Sequence, residues 1–298
     1  MRNIDENTIT AAVIARHAAA AAPRLKEIMT SLVKHLHDFA REVRLTEEEW
    51  FDGIRFLTDV GHITDDKRQE FILLSDTLGL STLVTAQNNR KPAGCTEATV
   101  FGPFFAEGAP HYDHGDDVGN GAKGEPCFVR GRVCNRQGEP ITGAEIQVWQ
   151  ADADGFYDVQ RQGLEGFQAR GMLHSGADGG FHFKSIVAEP YPIPHDGPVG
   201  KMLEKLGRHP WRPAHLHFMI TAPGYERLIT HVFREGGDYL DSDAVFGVRS
   251  SLVADWVRHP PGQTPDGASS LVPFFSLVFD FTLNRQGVGQ TQSGPTPG

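Results

Sequence analysis

Apolar positions recur at three- and four-residue steps over the first third of the chain and at two-residue steps later. Leu25, Ile28, Met29, Leu32, Leu36 and Phe39 form one stripe of a predicted helix. Thr46-Glu47-Glu48-Glu49 has capping-box spacing and opens a second helix, with Trp50, Ile54 and Leu57 on one side. Thr64-Asp65-Asp66 opens a third, carrying Phe71, Leu74 and Leu78. Residues up to about Asn89 therefore read as helical. Their stripes predict a plain helical core, with a helical subdomain or dimer interface as the alternative.

From Cys95 the texture changes to Gly, Pro and Phe, and Val100-Phe101-Gly102-Pro103-Phe104-Phe105 reads as an apolar loop. Beyond the acidic, glycine-rich stretch 115–124 come short β-branched or aromatic runs separated by turn residues: 128–133, 145–149, 181–183, 215–220, 228–233 and 277–283. The pattern predicts a mainly β chain with an α-helical N-terminal part, its core an antiparallel β-sandwich. The expected division is a helical 1–105, a β-sandwich 106–284 and a flexible tail 285–298, rich in Gly, Gln, Ser and Pro. There is no internal repeat.

Composition narrows the partners. With 28 Lys+Arg against 38 Asp+Glu among 298 residues, a formal charge of -10 argues against a nucleic-acid surface or an anionic membrane. The three cysteines, Cys95, Cys127 and Cys134, form no C-x-x-C pair and suit a reducing compartment as packing residues. Neither a signal peptide nor a membrane span fits the N-terminal segment, so the expected location is the cytoplasm.

The candidate chemistry centres on Trp211-Arg212-Pro213-Ala214-His215-Leu216-His217-Phe218. Alternate side chains of a strand share a face, so His215 and His217 point one way and Leu216 and Phe218 the other. Two imidazoles on a rigid strand suit a metal, although H-x-H also occurs as ordinary strand histidines. Tyr157, in Asp154-Gly155-Phe156-Tyr157, and Tyr191, in Pro190-Tyr191-Pro192-Ile193-Pro194, are two of only five tyrosines. Taken alone, each is equally a half-buried side chain with a satisfied hydroxyl. Two tyrosinates with two imidazoles would suit Fe(III) better than Zn(II) or Cu(I). Other sites fail on spacing. No Glu follows His217 at cupin distance, Asp152 and Asp154 read as a turn and not a calcium loop, and no G-x-S-x-G elbow is present. A zinc hydrolase would leave both tyrosines without a role.

Taken together, Gly155-Phe156-Tyr157, the Tyr191 segment and Arg212-Pro213-Ala214-His215-Leu216-His217 resemble the signature of the intradiol ring-cleavage dioxygenases, non-haem Fe(III) enzymes that open catechols between the two hydroxyls. The resemblance covers nearly all the chain. It implies Tyr157, Tyr191, His215 and His217 as iron ligands, Tyr191 being the one displaced by substrate. Arg212 would stabilise charge on the substrate during oxygen attack.

Within the family, His231 stands where catechol-cleaving members usually carry Gln. With Leu73-Leu74-Ser75-Asp76, the loop 100–104 and the segment 241–247, it is similar to the members that cleave hydroxyquinol to 3-hydroxy-cis,cis-muconate, the enol of maleylacetate. Catechol or chlorocatechol cleavage is the alternative within the class, and a non-catalytic binding module the alternative outside it. The implied substrate pocket joins Leu73, Val100, Phe101, Gly102 and Pro103 to Ile193, Pro194 and Val245, with Arg212 and His231. An apolar pocket would leave the third hydroxyl of hydroxyquinol without a partner, at a cost of about 1–3 kcal/mol, and Asp76 would accept that hydrogen bond. The resemblance also implies a homodimer joined through the N-terminal helices, sometimes with phospholipid held there.

Overall fold

The structure, a computed structural model, describes residues 3–65 and 68–287. It divides into two compact units between His62 and Ile63. The first holds α1 (Ile9–Arg16), α2 (Pro23–Glu42) and nearly all of α3 (Glu47–Ile63). The expected capping box is present: the Thr46 backbone N–H donates to Glu49 Oε2 at 2.9 Å and the Glu49 N–H to Thr46 Oγ1 at 3.2 Å. The α2 stripe is regular but lies on the surface, from 37% exposure at Met29 to 56% at Leu25. The plain helical core expected of it is therefore not formed among the described residues.

The second unit begins with α4 (Glu70–Thr77) and α5 (Leu80–Asn88), broken apart by Gly79 at φ +75°. α4 starts later than the Thr64-Asp65-Asp66 signal suggested, since Asp65 accepts the Arg68 backbone N–H at 2.7 Å and closes a turn ahead of the helix; Asp66 lies outside the described residues.

The strands that follow are β1 (Pro126–Asn135), β2 (Glu145–Gln150), β3 (Arg170–His174), β4 (Gly180–Ile186) and β5 (Tyr191–Pro192). After α6 (Pro198–Lys205) come β6 (Trp211–Arg212), β7 (His215–Thr221), β8 (Leu228–Arg234), β9 (Val253–Ala254) and β10 (Trp256–His259). The hairpin β11 (Gly262–Gln263) and β12 (Ser269–Ser270) precedes β13 (Phe274–Val278) and β14 (Phe281–Leu283).

One sheet runs β10-β13-β1-β14 with β4 on the other side of β1, and the second runs β3-β2-β7-β8-β9. Their inner faces make one core, in which Val129, Val133, Phe181 and Phe281 meet Ile146, Val148, Leu216, Phe218 and Ile220. Phe218 anchors the contact, its ring centroid 4.6 Å from that of Phe281 and 6.2 Å from that of Phe181. The sheets are mixed: β1 runs parallel to β13 and β14, and β8 runs parallel to β9.

Where the sequence suggested one closing strand over 277–283, the chain breaks at Phe279 and Asp280. The Phe279 N–H donates to Arg130 O at 3.0 Å, and Asp280 Oδ1 accepts the Arg132 N–H at 2.8 Å. Gly131 makes this crossing possible, because a Cβ there would lie 1.8 Å from Phe279 O. At the end of the described chain, Gln286 N–H still donates to Gly224 O at 2.9 Å. The rest of the expected flexible tail, from 288 on, lies outside the described residues. Among the described residues no helix is long and apolar enough to cross a membrane.

Gly131→Ala should lose about 3 kcal/mol or more of unfolding free energy in denaturant titration, since backbone and not a side chain must give way. Gly53→Ala in α3, with nothing within 4 Å of the new Cβ, should be neutral or mildly stabilising.

Candidate metal centre

β7 is buried on both faces. Leu216, Phe218 and Ile220 enter the core between the sheets, so His215 and His217 share the opposite face, also out of solvent. His231 lies directly across from His217 on β8 and joins the same face. The ligand atoms of the three imidazoles lie within 4.8 Å of one another. Trp149, across from His217 on β2, stacks on its ring at 4.6 Å.

Tyr157 reaches the pair from a loop shaped by Asp152, whose Oδ1 accepts the backbone N–H groups of Asp154 at 3.0 Å and Phe156 at 3.1 Å. The Asp152 and Asp154 pattern is thus a turn. Gly155 sits at φ +81°, where a Cβ would press on Tyr191 Cβ at 3.2 Å. Phe104 stacks on the Tyr157 ring at 4.4 Å. Tyr191 arrives by strand pairing, being the cross-strand neighbour of Arg212 in the β5–β6 ladder.

The polar atoms converge. Tyr157 Oη is 2.9 Å from His217 Nε2 and 3.4 Å from His215 Nε2, and the two Nε2 atoms are 3.1 Å apart. Donors bound to one first-row metal at about 2.0–2.2 Å sit roughly 2.9–3.4 Å from each other. The His215 tautomer agrees. Its Nδ1 faces Pro213 O at 2.7 Å, and a carbonyl only accepts, so the proton is on Nδ1 and Nε2 presents a lone pair to the centre. Neither ring nitrogen of His231, nor Nδ1 of His217, has a well-formed hydrogen bond among the described residues. A bound cation answers the two Nε2 atoms and the Tyr157 Oη that crowd one point, and an apolar ligand does not. The residues present therefore fit a metal.

Burial sets the charge states. It pushes His215 down to about 3, with the Arg212 cation adding to it. Burial likewise holds His217 and His231 well below the ordinary imidazole range, with His231 and His215 adding to it at His217 and His215 and Arg212 at His231. All three are thus neutral, as metal ligands must be. Burial and then Tyr191 raise Tyr157 well above the usual phenol range, so a phenolate here requires a cation alongside.

Arg212 is a fixed cation within reach of both tyrosines, with Arg170 acting on Tyr157 more weakly. Burial works to lower its affinity for its proton, but Asp243 and Tyr191 more than offset this, and it stays charged. Asp243 Oδ1 accepts from Arg212 Nε at 3.0 Å and Oδ2 from Nη2 at 3.3 Å, while Oδ2 also takes the Gly247 N–H at 2.9 Å. Burial raises the Asp243 carboxyl, yet Arg212 outweighs it and the net shift is downward. Nη1 is left to face Tyr191 Oη and His215 Nε2, each at 3.3 Å.

The structure thus gathers Tyr157, Tyr191, Arg212, His215, His217 and His231. Gly102, at φ +78°, brings its backbone against His217, a Cβ there lying 3.4 Å from Cε1. Asp76 is buried within electrostatic reach of Arg212 and Asp243; burial raises its carboxyl, with Ser81 and Arg212 pulling the other way. Leu73, Val100, Ile193 and Val245 are buried, Phe101 and Pro194 half-buried, and Pro103 is exposed.

Sequence reading missed the supporting groups. Asp243 fixes Arg212. Arg170 forks onto Asp158, the residue after Tyr157, with Nη2 2.6 Å from Oδ1 and Nε 2.9 Å from Oδ2, and Nη2 also donates to Phe104 O at 2.7 Å. Only tertiary contact pairs these residues. Trp149 was legible in principle, from the alternation of β2.

Residues 22–96 match the family described as the catechol dioxygenase N terminus, and residues 100–284 the dioxygenase family. The chain is 64% identical to the 6-chlorohydroxyquinol 1,2-dioxygenase of Cupriavidus pinatubonensis, over 95% of this chain and 99% of that one. It is 53% identical to the hydroxyquinol 1,2-dioxygenase of Nocardioides simplex, over 93% and 95%. The crystal structure of hydroxyquinol 1,2-dioxygenase from Pseudomonas putida DLL-E4 superposes with a TM-score of 0.89 at 48% identity, covering 94% of this chain and 99% of that one. The chain belongs to the intradiol ring-cleavage dioxygenase family.

Proposed function

We propose that this chain is a hydroxyquinol 1,2-dioxygenase that uses Fe(III) and dioxygen to open benzene-1,2,4-triol between its adjacent hydroxyls, giving 3-hydroxy-cis,cis-muconate. The observation that carries the reading is the meeting of two tyrosines, two strand histidines and a fixed arginine at one buried point. Relatives named for hydroxyquinol, and one named for 6-chlorohydroxyquinol, support the choice of ring over catechol or chlorocatechol.

Tyr157, Tyr191, His215 and His217 would hold the iron, which when bound draws electron density from the diol and opens its ring to oxygen. Tyr191 would be the ligand released to substrate, taking up a diol proton at Oη beside Arg212 Nη1. Arg212, its other nitrogens tied to Asp243, aims that one N–H edge where negative charge builds on the substrate. Asp76 would bond the third hydroxyl. Leu73, Val100, Phe101, Ile193 and Val245 would wall the ring and exclude water, with Gly102, Pro103, Pro194 and His231 completing the pocket.

The catalytic part is assigned to 106–284 and a cytoplasmic homodimer to the helices within 1–105. The surface stripe Leu25, Ile28, Leu32, Leu36 and Phe39 of α2 supports the dimer, and phospholipid acyl chains would suit the same apolar surface.

The purified protein should be red from tyrosinate–Fe(III) charge transfer, and the band should shift when hydroxyquinol is added without oxygen. A protein that stays colourless after iron reconstitution would remove Tyr157 and Tyr191 from the ligand set and leave a binding module. Asp76→Ala should lower kcat/KM for hydroxyquinol by roughly tenfold, the size of one lost hydrogen bond, and for catechol by much less; equal losses would rule out Asp76 as the discriminating group. Leu32→Glu with Leu36→Glu should halve the mass measured by light scattering, and an unchanged mass would place the dimer contact elsewhere.

A further inference from the structure

Helix α4 and the loop 236–247 reach the proposed pocket from distant parts of the chain. α4 carries Leu73 and Asp76; the loop carries Val245 and the Asp243 that orients Arg212. No strand pairing joins the two among the described residues. What joins them is Arg208, just beyond α6. Its Nη1 donates to Thr77 O at 2.7 Å, on the last turn of α4, and its Nη2 donates to Ala244 O at 3.0 Å, next to Val245. The next helix, α5, holds the same loop, Thr82 Oγ1 donating to Val245 O at 3.0 Å.

The same guanidinium lies over the Phe246 ring, 4.9 Å from its centroid. Phe246 holds φ +59°, a left-handed conformation that a bulky side chain adopts only where its surroundings enforce it. Gly79, between α4 and α5, lies beside the same ring, a Cβ there reaching ordinary contact with it at 3.5 Å. One side chain therefore fixes the helix, the loop and the strained residue between them.

We propose that Arg208 is a positioning residue for substrate selection, setting the separation between Asp76 and the Arg212–Asp243 pair. The inference rests on the diol-cleavage reading and deepens it. A forked guanidinium can satisfy two carbonyls on separate segments at once, which a single ammonium does with less control. With the fork lost, the hydrophobic walls still accept a ring, but the acceptor for a third hydroxyl is no longer held against it.

The test is Arg208→Met, which keeps the stem and removes the donors, and independently Thr82→Val. Each iron-loaded variant is assayed on hydroxyquinol and catechol side by side, with hydrogen exchange followed over 240–247. Both should keep the wild-type visible band, and exchange in 240–247 should quicken while β7 stays protected. The ratio of kcat/KM for hydroxyquinol to that for catechol should fall about fivefold to tenfold in Arg208→Met, the scale of one hydrogen bond out of reach. Thr82→Val should move it in the same direction. An unchanged ratio, or equal losses on both diols, overturns the proposal. The same ratio taken from anaerobic dissociation constants is read without turnover: a wild-type protein inactive on both diols overturns the dioxygenase reading, and an unchanged ratio of dissociation constants in Arg208→Met overturns this one.

Discussion

A strand has two faces, and β7 buries both. One face is spent on the core between the sheets; the other must therefore carry its polar groups without water. Everything around His215 and His217 follows from that constraint. The Pro213 carbonyl takes the one proton His215 can offer, Trp149 covers His217, and His231 stands across from His217 on β8. Buried polar groups are costly unless each has a partner. The neutrality of the three imidazoles, forced by burial, makes them a set of lone pairs waiting for a cation.

Arg212 obeys the same constraint with the opposite sign. A lone guanidinium in this interior would be prohibitive, and Asp243 answers it with two contacts while being held itself by the Gly247 N–H. Gly247 has no room for a side chain, since a Cβ would lie 3.0 Å from Arg212 Nη2 and 3.1 Å from Asp243 Oδ2. The arginine's direction is thus decided by a loop thirty-odd positions downstream, the separation of the pair being 31 residues.

What was legible in the sequence was local. The H-x-H alternation, the capping box and the turn at Asp152 each depend on residues within a few positions, and each stands as read. The α2 stripe was legible as a helix face but not as an exposed one, because periodicity reports that a face is apolar and says nothing of what covers it. β3, β9 and β10 escaped notice. β3 is short and contains Arg170, whose charge is cancelled by Asp158 only in the folded chain. The break at Phe279 depends on Gly131, which lies against Phe279 O, and on the Arg132 N–H that donates to Asp280, 148 residues away, and no window of sequence spans that distance.

That crossing has a further consequence for the order of events in synthesis. β1 is among the first strands to be made, yet two of its neighbours, β13 and β14, are among the last. Until residue 283 has left the ribosome, the inner faces of β2 and β7 lack Leu277 and Phe281 to close against. The strand bearing the histidines must therefore wait, half-solvated, for the far end of the chain. A nascent chain stalled before that point would present an open sheet and an unmade metal site together, so completing the core and becoming able to load the cation are one event and not two.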